Sequence, residues 1–259
     1  MLFKEYLPCP ELRKYVDRYW KFVVAPGENS GQPITHVFPP DGSCSLVFVS
    51  LNNFHYKGVT FIGPTTTINE ILVHPNSINF GIRLKPGCSG LLYDNDVATI
   101  ANDSVTIPPH QLADWQQQFL QNLDLDLDDT TQLDTALVTI LTKSKFKPDD
   151  RVLKAVDLII NHDGNFTLTE IADHACISPR QLQRLFNSAT GITIKQFCQI
   201  RRLRKAVIDI HIGRQTYAEM VNSRGFSDQA HYYNSFKKVA GYDIRKFFEH
   251  INNIEHQLA

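Results

Sequence analysis

Arginine can hydrogen-bond a guanine edge at two points, and glutamine or asparagine can do the same with adenine. Two stretches of this 259-residue chain present such side chains at helical spacing. In the first, Pro179, Arg180, Gln181, Gln183 and Arg184 surround the apolar positions Leu182, Leu185 and Phe186. A helix that turns those three inward leaves the arginines and glutamines outside. In the second, Tyr232 and Phe236 take the inner stripe and leave Gln229, Ala230, Tyr233 and Asn234 outside. Ala230 adds a methyl that suits thymine. One such helix reads equally well as an ordinary solvated face. Two copies of the arrangement in a basic region point to the reading of a double helix.

The elements needed to position these side chains are written around them. Residues 167–191 and 216–241 form an internal repeat, with Thr167, Glu170, Ile171, Ile177 and Ser178 matching Thr216, Glu219, Met220, Phe226 and Ser227. Each copy opens on T-x-x-E, in which threonine and glutamate cap each other's backbone N–H at a helix start. Ser178, with Pro179 after it, starts the next helix, and Ser227 with Asp228 does so in the second copy. Each unit is therefore a helix, a short turn and a second helix, the pattern whose second helix enters a DNA major groove. Between the copies, Phe197, Ile200, Leu203, Val207 and Ile210 mark a connecting helix over 193–210. Eighteen helical residues span about 27 Å. With its flanks, that helix can set two recognition helices about one DNA turn, roughly 34 Å, apart.

Charge agrees. Residues 1–150 carry 11 Lys and Arg against 17 Asp and Glu, and residues 151–259 carry 15 against 10. A basic C-terminal part suits a polyanion partner. The N-terminal part reads as β-rich: 44–51, 59–62, 69–73 and 77–84 are apolar strand-like runs separated by Pro, Gly and Asn. Residues 110–144 turn helical, with Trp115, Phe119 and Leu123 in one stripe and Leu133, Leu137, Ile140 and Leu141 in another. The charged stretch KSKFKPDD, residues 143–150, marks a boundary. The expected class is α+β. Residues 1–108 form a small antiparallel β-barrel or sandwich, 109–147 are linker helices, and 148–259 form an all-α domain with two helix-turn-helix units. The stripes of 110–144 exceed what a linker needs, so they are the expected dimer surface.

The motifs E-I-A-x-x-A-x-I-S-P-R-Q-L-Q-R-L-F at 170–186, R-R-L-R-K-A at 201–206, G-F-S-D-Q-A-H-Y at 225–232 and F-K-K-x-x-G at 236–241 resemble the AraC/XylS family of bacterial transcription regulators. The resemblance covers residues 150–250. It implies that Pro179, Arg180, Gln183 and Arg184, then Gln229, Ala230, Tyr233 and Asn234, touch base edges. Three positions depart from the family pattern: Ile194 after Thr193 and Ile244 after Asp243 stand where Pro is usual, and Val221 stands where Ala is usual. Thr193 and Asp243 keep capping residues at both helix starts, whereas Val221 puts the grip of the second unit in doubt. Residues 12–20, 38–42 and 81–87 resemble an uncharacterised, cupin-like N-terminal domain of one AraC-type subgroup. The wider family uses such domains to bind a small effector or to dimerise, and the resemblance adds RNA polymerase as a partner.

His36, Asp41 and Arg83 are the candidate effector-pocket residues, with His55 and His74 beside them. Arg83 reads equally as a surface residue or a carboxylate's partner. A metal-binding cupin needs an H-x-H pair followed by a carboxylate, which the chain lacks, so neither metal nor cofactor is expected. Arg202 suits a structural ion pair as well as a phosphate. Residues 123–129, LDLDLDD, read as a solvated turn, and Cys176 as a packed core residue. No G-x-S-x-G or G-x-x-x-x-G-K is present, so the chain is not read as an enzyme. Five scattered cysteines without a C-x-x-C pair suit a reducing cytoplasm. The start, MLFKEYLPCPELRKYV, is charged where a signal peptide is apolar, and no run is long enough to span a membrane. Two other classes stay open: a DNA-repair or modification enzyme carrying the same helical module, and a sensor whose helical domain binds a protein.

Overall fold

A run as apolar as Ser45–Leu51 has no polar face to give to water, so it needs cover on both sides. The computed structural model supplies it. The structure describes residues 1–124 and 128–211, the single residues Lys237, Gly241, Phe247 and His250, and 255–258. The strands are β1 (Leu2–Tyr6), β2 (Val16–Val24), β3 (Ile34–Phe38), β4 (Ser45–Leu51), β5 (Tyr56–Ile62), β6 (Asn69–Val73), β7 (Ser77–Leu84), β8 (Ser104–Ile107) and β9 (Glu255–Leu258). Seven form an open sheet in the order β8-β5-β4-β7-β2-β1-β9, and β3 pairs with β6 in a second, two-stranded sheet. Pairing is antiparallel except between β1 and β9.

One face of the large sheet packs Trp20, Phe22, Val24 and Val47 against Ile34 and Val73 of the small one. The other face carries Tyr19, Leu46, Phe48, Phe61, Phe80 and Ile82. Two helices cover it: α1 (Asp114–Gln121) and α2 (Thr131–Lys143). Phe119, Leu120, Leu123, Leu133 and Leu137 are buried there, and the Phe119 ring lies 4.7 Å from Phe48 and 5.1 Å from Phe80. The stripes expected to form a dimer surface in 110–144 thus pack against their own sheet, with Trp115, Ile140 and Leu141 partly buried at its edge.

Polar ties fix how the two helices sit. Lys57 Nζ, from β5, donates to the carbonyls of Leu120 and Gln121 at 3.0 and 2.8 Å, where the helix dipole favours a cation. Asp134 of α2 accepts from Tyr19 Oη at 2.8 Å and from the Cys9 N–H at 3.1 Å. Asp128 accepts from Lys4 at 2.6 Å, from the buried Lys21 at 3.0 Å and from Tyr6. The run read as a solvated turn is thus pinned to the sheet at Asp128, and residues 125–127 lie outside the described residues.

The hydrogen bonds from Lys4, then Tyr6 and Lys21, hold the Asp128 carboxyl well below the usual carboxylate range. A group depressed on folding stabilises the native state above its unfolded pKa, and that contribution is lost as pH falls through the folded one. Asp128 is half exposed, so solvent screens the gain. We expect Asp128→Asn to cost about 1–2 kcal/mol at neutral pH. The difference from the parent should shrink below the carboxylate range, as checked by urea unfolding at a series of pH values.

Candidate DNA-binding interface

The first repeat unit is built on four helices: α3 (Asp150–Asn161), α4 (Leu168–His174), α5 (Pro179–Thr190) and α6 (Ile194–His211). Their starts follow the capping residues. Asp149 accepts from Arg151 N at 2.9 Å. Thr167 and Glu170 form the reciprocal box, with Thr167 N donating to Glu170 Oε2 at 2.7 Å and Glu170 N to Thr167 Oγ1 at 3.3 Å. The Thr167 backbone N–H and then its hydroxyl, both donating to the carboxylate, lower the Glu170 pKa. Ser178 accepts from Gln181 N at 3.3 Å, with Pro179 in the first turn. Thr193 and Gln196 repeat the box at α6, so Ile194 in place of proline leaves that helix start intact.

Inside, Ile171, Leu182, Phe186 and Phe197 are fully buried, with Val152, Val156 and Ile159 of α3 beneath them. The Phe186 and Phe197 rings lie 5.7 Å apart. Between α4 and α5 the chain turns at Cys176, which has φ of +56° and is exposed, while Ala175 packs beneath. The cysteine expected in the core is the turn residue. Gly164 closes the α3–α4 turn at φ +75°, and a Cβ there would come within 2.3 Å of the Cys198 carbonyl of α6. Arg202 donates to the Gly164 carbonyl, so its role is structural.

Burial of Leu182 and Phe186 leaves Arg180, Gln183 and Arg184 exposed, with Pro179 and Gln181 half-buried beside them. The face continues to Asn187, four residues after Gln183 and also exposed. Asn187 is absent from the contact set expected from sequence, although its i, i+4 spacing from Gln183 marks it. Gln229, Ala230, Tyr233 and Asn234 lie outside the described residues, as do Val221, Asp243 and Ile244.

Of the three candidate effector residues, Asp41 and Arg83 are in contact, and His36 has neighbours of its own. Arg83 Nη1 donates to Glu5 Oε1 at 3.1 Å and lies 3.9 Å from Asp17. Its Nε lies 3.1 Å from Asp41 Oδ2, as an ion contact off the N–H direction. Burial alone would lower the Arg83 pKa, and Asp41, Glu5 and Asp17 together outweigh it. The arginine's charge is already answered within the chain. His36 is buried, stacked on Phe22 at 4.2 Å and edge-on to Phe38, with Nδ1 2.7 Å from His250 Nε2. His55 is exposed and His74 lies against Phe54. Among the described residues no cluster of His, Cys, Asp or Glu is arranged to hold a metal, and no helix is long and apolar enough to cross a membrane.

Comparison with known proteins places these parts. Residues 151–250 match a family described as a helix-turn-helix domain, and residues 4–106 one described as a domain of unknown function (DUF6597). The arabinose operon regulatory protein of Escherichia coli (strain K12) is 32% identical over 101 residues, 38% of this chain and 35% of that protein. The transposon Tn10 TetD protein of Escherichia coli is 32% identical over 98 residues, 35% of this chain and 71% of that protein. Among solved structures, ToxT from Vibrio cholerae covers 96% of this chain and 99% of its own at 10% identity and a TM-score of 0.45. The chain thus spans about a third of the length of the arabinose regulator it matches.

Because the fully buried Phe186 packs the middle of α5 against Phe197, we expect Phe186→Ala to destabilise the helical domain by about 3–5 kcal/mol. Thermal or urea unfolding followed by helical circular dichroism measures it. A loss under 1 kcal/mol, on the same order-of-magnitude scale, would show that the helix is held some other way.

Proposed function

The chain belongs to the AraC/XylS family of transcription regulators, and we propose that it binds DNA sequence-specifically, reading successive major grooves with α5 and with the second recognition helix around Gln229–Asn234. The supporting observation is the roll of α5. A fully buried Leu182 and Phe186 put Arg180, Gln183 and Arg184 outside on one capped helix. Pro179, Gln181, Ala230 and Tyr233 complete the proposed contact set. Lysines and arginines nearby neutralise phosphates and set the register, while the base-facing side chains set the sequence.

In this proposal residues 1–108 regulate, 109–147 join, and 148–259 bind DNA. Regulation arrives through the N-terminal domain, by a small effector or a second copy of the chain, and is delivered to RNA polymerase. The protein works in the cytoplasm and is not an enzyme. Cys9 supports the last point against a repair enzyme. Burial, then Glu11 and Asp134, push its thiol pKa up, which is the opposite of what a nucleophile needs.

Selection of bound duplexes from a random pool with the full-length chain tests the reading, and enrichment of paired half-sites about one DNA turn apart is the expected result. Arg184→Ala should then cost about 1–3 kcal/mol of binding and relax the preference at one base position. Parent and variant should both lose affinity steeply with added salt. Unchanged affinity and preference in the Arg184 variant would remove that residue from the interface.

A further inference from the structure

A cleft of about 590 Å³ opens where three segments meet: the loop after β7, the stretch that joins α2 to α3, and a flank of α5. That volume falls in the range that holds a small organic ligand. The joining stretch is held in shape. Ser144 Oγ accepts from the Phe146 N–H at 3.0 Å, and Pro148 fixes the backbone just before the Asp149 cap of α3. The Phe146 ring lies against Gly90, where a Cβ would come within 2.5 Å of it. Tyr93 is stacked on Phe61, with ring centroids 4.5 Å apart. Two anchored rings therefore line the cleft, beside the half-buried Leu185 and Ala189 of α5.

The charges around these rings are left open. Asp94 and Asp96 come from the loop, Lys145 and Lys147 flank Phe146, and all four are exposed. Asp96 gives one oxygen to the Ala98 N–H at 2.9 Å, and Asp149, also at the cleft, is taken by Arg151. Asp94, Lys145 and Lys147 have no side-chain partner among the described residues, so acid and base share one cleft without meeting. A simple cation would leave the lysines unanswered, and a simple anion would leave the carboxylates unanswered. A molecule that carries both charges and an apolar body answers the whole lining.

The cleft also has a defined place on α5. At 100° per residue, positions 185, 188 and 189 lie roughly 140° round the helix from the exposed positions 180, 183, 184 and 187. An occupant touches α5 there and leaves its outer face clear.

We propose that this cleft is a binding site for a small zwitterion with an apolar side chain, an amino acid or a dipeptide: its ammonium group sits at Asp94 and Asp96, its carboxylate at Lys145 and Lys147, and its side chain on Tyr93 and Phe146. The ring faces add cation–π attraction for the ammonium. Opposite charges stand about twice as far apart in an extended dipeptide as in an amino acid, so the spacing of the two rims selects between them. None of His36, Asp41 and Arg83 lines the cleft, and neither does any residue of the proposed DNA contact set. The site thus stands or falls separately from DNA reading by α5.

Isothermal titration of the full chain with L-phenylalanine and with L-leucyl-L-leucine, at low salt and neutral pH, tests the site. Saturable binding is the expected result, and the tighter compound reports the spacing of the two rims. N-acetylating or amidating that compound removes one charge at a time, and each change should weaken binding about 10-fold. Asp94→Asn and Lys147→Gln should each weaken it about 3- to 10-fold. Both side chains are exposed, so the urea midpoint of either variant should match the parent. Bound compound should also slow trypsin cleavage after Lys145, which locates it at the rim. The proposal is overturned if neither compound binds saturably up to about 10 mM. It is equally overturned if the capped compounds bind as well as the free ones, or if both variants bind as well as the parent.

Discussion

Burying Leu182 and Phe186 under Phe197 fixes the roll of α5, and everything proposed for the DNA-facing surface depends on that roll. A helix advances 100° per residue, so two buried positions four apart leave no freedom over where positions 180, 183 and 184 point. Propensity plays a smaller part. The caps at Thr167, Ser178 and Thr193 decide where the helices begin, not which way they face. Isolated helices this short are marginal in water, so the tertiary contact also keeps α5 helical.

The helical half was legible because its information is local. Capping boxes and apolar spacing operate within a few residues, and the structure bears them out for the first unit. The β half was legible only where strands are continuous apolar runs. The strands β4 to β7 stood out for that reason. By contrast, β2 contains Asp17, Arg18 and Lys21, and β1 contains Lys4 and Glu5. Those charges look like loop residues until their partners are known. Glu5 and Asp17 serve Arg83, while Lys4 and Lys21 serve Asp128, 107 or more residues away in the chain. No spacing rule encodes a partner at that distance.

The same blindness explains the misread stripes and the misread cysteine. Apolar stripes on α1 and α2 announce that something covers them, but not whether the cover is the chain's own sheet or another copy. Here it is the sheet. Cys176 falls at the left-handed turn between α4 and α5, where its side chain is exposed and Ala175 takes the inner position. The effector trio shows the same limit of residue type. Histidine, aspartate and arginine suggest a pocket by type, yet Asp41 and Arg83 answer each other.

The motif R-R-L-R on α6 carries this lesson furthest. Read as composition, it is a basic patch awaiting phosphate. Read around the helix, its four residues have different neighbours: Leu203 enters the core, Arg202 ties α6 to the Gly164 turn, and Arg201 and Arg204, three apart, share the side facing the carboxylates of the β domain. One helix of about 27 Å thus closes the core of the first unit and meets the β domain. A shift of the β domain's Gly42 loop presses on Phe197, and Phe197 packs on Phe186 of the recognition helix. Close-packed cores transmit such a shift instead of absorbing it. The route from the β domain to α5 is therefore two contacts long, and it needs no ligand to exist.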